Sequence, residues 1–201
     1  VALGLGFFLT VLFGGTGFLV WSLTVPDIPE REWETFAPPN GRFTVRLPGF
    51  PLLAFTRLDG SVVRQYLLSR DHEEIDFAVS YYDVRPEQVG PTLLADVTAE
   101  LRERKLQELA GQLIAERELM LDDYPGREIR IDPGTRHGTY LGRVYLAGRR
   151  VFLVEVLGRH VRPDKGATAT FFDSFKIDVP SPNGPRRGFA QIHLRAADEA
   201  A

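Results

Sequence analysis

Hydrophobic patterning along the chain changes character at Pro26. Residues 1–25 carry no charged side chain, and about 20 apolar residues are enough to cross the roughly 30 Å hydrocarbon core of a bilayer as a helix. One transmembrane helix over 1–25 is expected. A cleaved signal peptide has an apolar stretch of about 7–15 residues ending at a small-x-small site. The sequence Trp21-Ser22-Leu23-Thr24-Val25-Pro26 offers no such site, which favours a retained anchor. Within that run Gly6, Thr10 and Gly14 recur every four residues. Small residues at this spacing let two helix backbones approach, so they form a candidate packing face for self-association through the anchor. Residues 26–40 combine prolines with charges and read as an extended linker.

Beyond the linker the period shortens to two. Apolar and polar residues alternate strictly in Arg42-Phe43-Thr44-Val45-Arg46-Leu47, as in a strand with one buried face. Two further strand-like runs, 52–58 and 61–69, flank Asp59-Gly60, a pair suited to the positive φ angles of a tight hairpin turn. A strand over 75–84 places Ile75, Phe77, Val79 and Tyr81 on one face. The period then lengthens. Over 92–110, Leu93, Leu94, Val97 and Leu101 fall within about 100° on a helical wheel, with charged residues around them. This predicts an amphipathic helix lying on a sheet, with Gly111 as its carboxyl cap.

Strands are expected again at 113–121, 127–132, 139–147 and 150–157, with turns at Tyr124-Pro125-Gly126, Pro133-Gly134 and Ala147-Gly148. The run Val151-Phe152-Leu153-Val154-Glu155-Val156-Leu157 is nearly continuously apolar. A strand buried on both faces has that composition, which predicts helices on each side of the sheet. A second helix over 164–173 would turn Ala167 and Phe171 to the sheet, with Phe175 completing the contact and a short strand over 175–179 closing the domain. The Pro-, Gly- and Arg-rich tail 180–201 reads as flexible. The organisation is therefore a transmembrane helix (1–25), a linker (26–40), one folded domain (41–179) and a tail (180–201).

Composition narrows the function classes. The chain has 201 residues, with 24 Lys and Arg against 27 Asp and Glu. That balance argues against a nucleic-acid partner, which selects a basic excess. There is no cysteine, which excludes disulfides, thiolate catalysis and cysteine metal sites. Just past the anchor, Asp27, Glu30, Glu32 and Glu34 surround a single Arg31. Basic residues favour the cytoplasmic flank, so the domain is expected outside the cytoplasm. The chain opens at Val1 rather than at methionine, so an upstream segment is expected.

Several phrases carry a family likeness: Gly41-Arg42-Phe43-Thr44-Val45 with Leu47-Pro48-Gly49, Tyr124-Pro125-Gly126-Arg127-Glu128, Arg143-Val144-Tyr145-Leu146, Arg149-Arg150-Val151-Phe152, and Phe171-Phe172-Asp173-Ser174-Phe175-Lys176. With the order of elements, they resemble the PsbP-like superfamily, which includes the extrinsic photosystem subunit, a eukaryotic Ran-release factor and DcrB-type bacterial lipoproteins. The resemblance spans residues 33–179. It implies an α+β fold, an antiparallel β-sheet sandwiched by α-helices. It implies no common active site, because members bind different partners. The photosystem subunit's metal-retaining role depends on an amino-terminal arm, and a membrane anchor takes that place here.

No catalytic motif assembles. His72, His137, His160 and His193 show no three- or four-residue spacing of a helical metal pair. The turn Asp71-His72-Glu73-Glu74 reads as an acidic solvated turn rather than a cation site. No Gly-x-Ser-x-Gly elbow occurs, and Ser174 reads as a residue satisfying backbone groups where the last helix turns into the last strand. Arg127, Arg130, Arg143, Arg149 and Arg150 come from strands that are candidates for neighbours. On one face they would suit a carboxylate, a phosphate or an acidic partner; otherwise they are a solvated sheet edge. The expectation is a non-catalytic binding or assembly module with no cofactor, tethered to a membrane and presenting its sheet to a protein partner. The alternative is a carrier or sensor for a small apolar or anionic ligand held between sheet and helix, signalled by a cavity lined by Phe77, Tyr81 or Phe152.

Overall fold

The computed structural model describes residues 27–58, 60–134 and 138–179. Ten strands and two α-helices follow in the order β1 (Glu34–Phe36), β2 (Phe43–Leu47), β3 (Leu52–Leu58), β4 (Ser61–Arg70), β5 (Ile75–Asp83), α1 (Leu93–Leu109), β6 (Gln112–Leu121), β7 (Tyr124–Asp132), β8 (Thr139–Ala147), β9 (Arg150–Gly158), α2 (Gly166–Ser174) and β10 (Lys176–Ile177). Seven strands form one sheet in the order β3-β4-β5-β9-β8-β7-β6, and every neighbouring pair in it is antiparallel. The architecture is α+β.

The continuous apolar run becomes β9, at the centre of that sheet. Phe152, Val154 and Val156 enter one core while Val151 enters the other, which is why the run lacks alternation. On one face, Leu93 and Leu101 of α1 pack with Ile129, Ile131, Tyr140 and Val144. The opposite face is covered differently from the expectation of a helix on each side. A three-stranded sheet, β1-β2-β10, joins α2 there, bringing Phe43, Val45, Leu47, Phe171 and Phe175 onto Phe77, Tyr81 and Phe152. The aromatic rings interlock edge to face, for example Phe77 with Phe171 at 5.1 Å and Phe43 with Phe152 at 6.1 Å, a geometry favoured by their quadrupoles.

Three local expectations are corrected. The stretch read as a linker is partly folded: Ile28 and Trp33 are buried, and β1 pairs with β2 from Glu34 opposite Leu47 to Phe36 opposite Val45. The residue that ends α1 in the left-handed region is Ala110 (φ 47°), with the Gly111 N–H donating to the Leu106 carbonyl; Gly111 is one position beyond. Tyr124-Pro125-Gly126 is strand, not turn. The reversal is made by Asp122-Asp123, with Asp122 at φ 51°, a conformation aspartate tolerates. Gly126 instead permits close packing, because a Cβ there would fall 2.6 Å from the Tyr145 ring.

Among the described residues no helix is long and apolar enough to cross a membrane. The helix expected over 1–25, its Gly6, Thr10 and Gly14 face, the tail 180–201, Asp59, His137 and His193 lie outside the described residues.

Candidate functional site

The five arginines do not converge. Successive strand residues face opposite sides, so Arg127 and Arg130 of β7 are separated by the sheet itself. Arg127 lies on the α1 side and binds Glu116 and Glu118, each at 3.0 Å. Arg143 lies on the α2 side, 2.8 Å from Glu128 and 4.2 Å from the centre of the Phe172 ring. Arg130 shares that side, with its Nε buried and unpaired. Arg149 donates to the Val84 carbonyl at 3.1 Å. Arg150 sits at the far end of β9, bound to both Asp83 oxygens at 2.7 Å and to the carbonyls of Asn40 and Gly41. Most of these cations are spent on the fold.

Around β6 the ion pairs form a lattice. Glu116 accepts from Arg102 of α1 and Arg127 of β7; Glu128 accepts from Arg117 of β6 and Arg143 of β8. Burial pushes the Glu128 carboxyl up, but the two arginine hydrogen bonds outweigh it and hold the group below its ordinary value; Glu116 behaves the same way. The acidic turn beside His72 is likewise occupied, Glu73 by Arg70 and Glu74 by Arg159. The Ser174 hydroxyl donates to the Phe171 carbonyl and accepts from the Arg46 N–H, both at 2.8 Å. It links α2 to β2, with no base in reach of it among these contacts.

A cleft lies where α1 leaves the β3–β5 half of the sheet uncovered. Its volume is about 280 Å³, with Val97, Leu101, Gln65, Ser80, Leu153 and Glu155 among its lining residues. Glu155, the one charge in the apolar run of β9, is 5% exposed. The Tyr140 hydroxyl donates to its Oε1 at 2.9 Å, and Lys105 Nζ lies 3.5 Å from the same oxygen and 3.1 Å from Glu108. Gly142, opposite Glu155 in β8, leaves room for this contact, since a Cβ would fall 2.3 Å from the Tyr140 oxygen. Burial, and then the charge of Glu155, push the Tyr140 hydroxyl well above its ordinary value. It stays a donor, and the cluster satisfies a buried carboxylate without presenting a nucleophile or base. Of the three residues any of which was expected to line a ligand cavity, Tyr81 and Phe152 belong to the core on the opposite face, while Phe77, whose ring also packs in that core, borders a second cleft of about 370 Å³ with Leu67, Ala78 and Leu157.

The remaining surface of note is the β3–β4 hairpin. β3 is one edge of the seven-stranded sheet, and Leu52 (77% exposed), Phe55 (62%), Leu53 and the preceding Phe50 (85%) stand in solvent, together with Val62 and Leu67 of β4. Such a contiguous apolar edge is a template for pairing with another chain. Its visibility in the sequence was masked, because Leu52-Leu53-Ala54-Phe55 reads as an ordinary buried strand.

No family model matches the chain, and no curated protein matches it significantly. Among solved structures it is similar to cyanobacterial PsbP (CyanoP) from Synechocystis sp. PCC 6803, with a TM-score of 0.53 at 13% identity over 83% of this chain and 98% of that one. The fold of this chain is therefore PsbP-like, as its sequence phrases implied, and at that identity the likeness is one of architecture.

Proposed function

We propose that this chain is a non-catalytic binding module, held at a membrane by its apolar amino-terminal segment with the domain outside the cytoplasm, and that it docks another polypeptide through the β3–β4 hairpin. The observation that carries this reading is the bare apolar edge of β3. A domain that ties most of its strand arginines to carboxylates leaves two phenylalanines and two leucines at one edge in water. The PsbP-like architecture supports an accessory role. The most deeply buried ionisable cluster of the described residues, Tyr140–Glu155–Lys105, satisfies itself rather than awaiting a substrate.

The test is capture of partners by the full chain from detergent-solubilised membranes of its source cell, compared with Leu52→Lys/Phe55→Lys. Both positions are exposed, so the variant should hold its unfolding free energy within about 0.5 kcal/mol. Its recovery of the partner should fall at least about tenfold, or 1.4 kcal/mol. Equal recovery by the folded variant would exclude the hairpin as the docking surface.

A further inference from the structure

We propose that the free edge of β3 takes up an extended, acidic segment of the partner as an additional strand, its carboxylates answering Arg57 and Arg64. This deepens the binding-module reading and rests on it.

The backbone argument starts from the turn. Leu58 and Ser61 face each other across a two-residue connection. In such a hairpin the flanking pair exchanges both ladder hydrogen bonds, and bonded and non-bonded pairs then alternate. Leu58, Thr56, Ala54 and Leu52 therefore spend their N–H and C=O groups on β4. Those of Leu53, Phe55 and Arg57 point outward, without a strand partner among the described residues, along about 13 Å of edge. The register of β3 with β4 is unbroken from Leu52 to Leu58, and β3 contains neither proline nor lysine, two common means of blocking edge addition. Main-chain pairing of this kind supplies affinity, and alternate side chains supply selectivity.

The selectivity is written in charge. Phe55 faces Arg64, and Arg57 faces Val62, so Leu53, Phe55, Arg57, Val62 and Arg64 share one face of the hairpin. Of the other strand arginines, Arg46, Arg70, Arg117, Arg127, Arg143 and Arg150 have carboxylate partners, and Arg130 has its Nε buried. Arg57 and Arg64 are exposed and lack a carboxylate partner among the described residues; Arg64 lies only 5.8 Å from the Tyr81 ring centre. Residues two apart share a face of a strand, so an added strand whose same-face residues alternate acidic with apolar sets a carboxylate against Arg57, facing Arg64 across β3, while an apolar side chain covers Phe55. A second copy of β3 does not. Paired antiparallel about Phe55, it would set Arg57 opposite Leu53 of the other copy and bring four arginines to one face with no carboxylate of β3 or β4 to answer any of them.

The experiment uses the full chain in detergent and two fluorescent synthetic peptides, one repeating Glu-Thr-Val-Thr, so that glutamate and valine alternate along one face, the other its lysine-for-glutamate counterpart. Fluorescence anisotropy should show the acidic peptide binding at least about tenfold tighter. Arg57→Glu/Arg64→Glu should invert that preference. Phe55→Pro, which removes an outward N–H and leaves the β4 ladder intact, should abolish binding with the thermal midpoint held within a few degrees. Equal binding of both peptides, or unchanged binding by folded Phe55→Pro, overturns the proposal. So does a concentration-dependent dimer, seen by light scattering, that Phe55→Pro abolishes, because a second copy would then be the occupant. If cellular partner capture is lost in Leu52→Lys/Phe55→Lys but survives charge reversal at Arg57 and Arg64, the binding-module reading stands and the acidic-strand proposal falls.

Discussion

The two edges of the same sheet are treated in opposite ways. At one end, β6 carries Glu116, Arg117 and Glu118 in its middle, each tied to an arginine or glutamate of β7, and its register is interrupted by a bulge between Leu113 and Ala115. Its exposed apolar residues, Leu113, Ile114 and Met120, flank that charged centre. At the other end, β3 has an unbroken register and a centre of Leu53, Ala54 and Phe55. Charges and bulges are the ordinary means of keeping an edge from pairing with other chains. This chain uses both at the centre of β6, whereas β3 has no bulge and a single charge, Arg57, near its end, a contrast that supports the docking role proposed for β3.

The comparison is sharpened most by removing the acceptor that joins β6, β7 and β8. Glu128→Ala would leave Arg143, packed on the Phe172 ring, without its carboxylate. Breaking a buried pair costs about 3–5 kcal/mol, and the exposure of Arg117 places the expected loss at the lower end, about 3 kcal/mol. A urea midpoint unchanged by the substitution would show that the lattice is ornamental to stability.

Acid should act on the same lattice and on two further ion pairs, at Glu73 and Asp83. Glu116, Glu128, Glu73 and Asp83 are all held below their ordinary values. At Glu116 and Glu128 burial works against the arginine hydrogen bonds and loses, while at Glu73 and Asp83 the hydrogen bonds from Arg70 and Arg150 dominate outright. A carboxyl depressed on folding contributes stability that is present above its unfolded value and is lost as pH falls through the folded one. The thermal midpoint should therefore be nearly flat from about pH 7 to 5 and decline from about pH 4 downward. A midpoint that already falls between about pH 7 and 6 would point to histidine instead.

The smallest effect on stability, and the most direct attempt to break the contrast, comes from stripping the guard. Glu116→Val/Glu118→Val removes one largely exposed ion pair, at Glu118, and two half-buried ones, at Glu116, for an expected loss of about 1–2 kcal/mol, yet leaves β6 as apolar as β3. Self-association by light scattering is the expected outcome. A variant that stays monomeric would mean that the bulge alone protects this edge.

Much of the fold was legible locally. The period of two in Phe43-Thr44-Val45-Arg46-Leu47, the paired runs 52–58 and 61–69 and the amphipathic stretch from Leu93 to Leu101 each encode a conformation within a few residues, and each element formed close to its expected place. Two features were readable but unread. Arg127 and Arg130 differ in strand parity, which already forbids a common face, and Glu155 stands as a lone charge in an apolar run, which signals a buried partner. Others were out of reach. Glu34-Thr35-Phe36 is too short to show a period, and Tyr140, Lys105 and Glu155 lie on three separate elements.

What the amino-acid sequence determined alone was the inventory: which segments are strand or helix, which face of each is apolar, and that one strand is buried on both sides. Those are properties of local spacing and of the free energy of removing apolar groups from water. The tertiary structure alone decided which strand lies beside which. It sent β2 into a separate small sheet with β1 and β10, spent the arginines on carboxylates remote in sequence, and placed β3 at an edge rather than in the interior. The physical reason is that a strand's pattern states which side must be buried, whereas its neighbours are chosen by the packing of the whole chain. The same apolar run is core in the middle of a sheet and an exposed edge at its border.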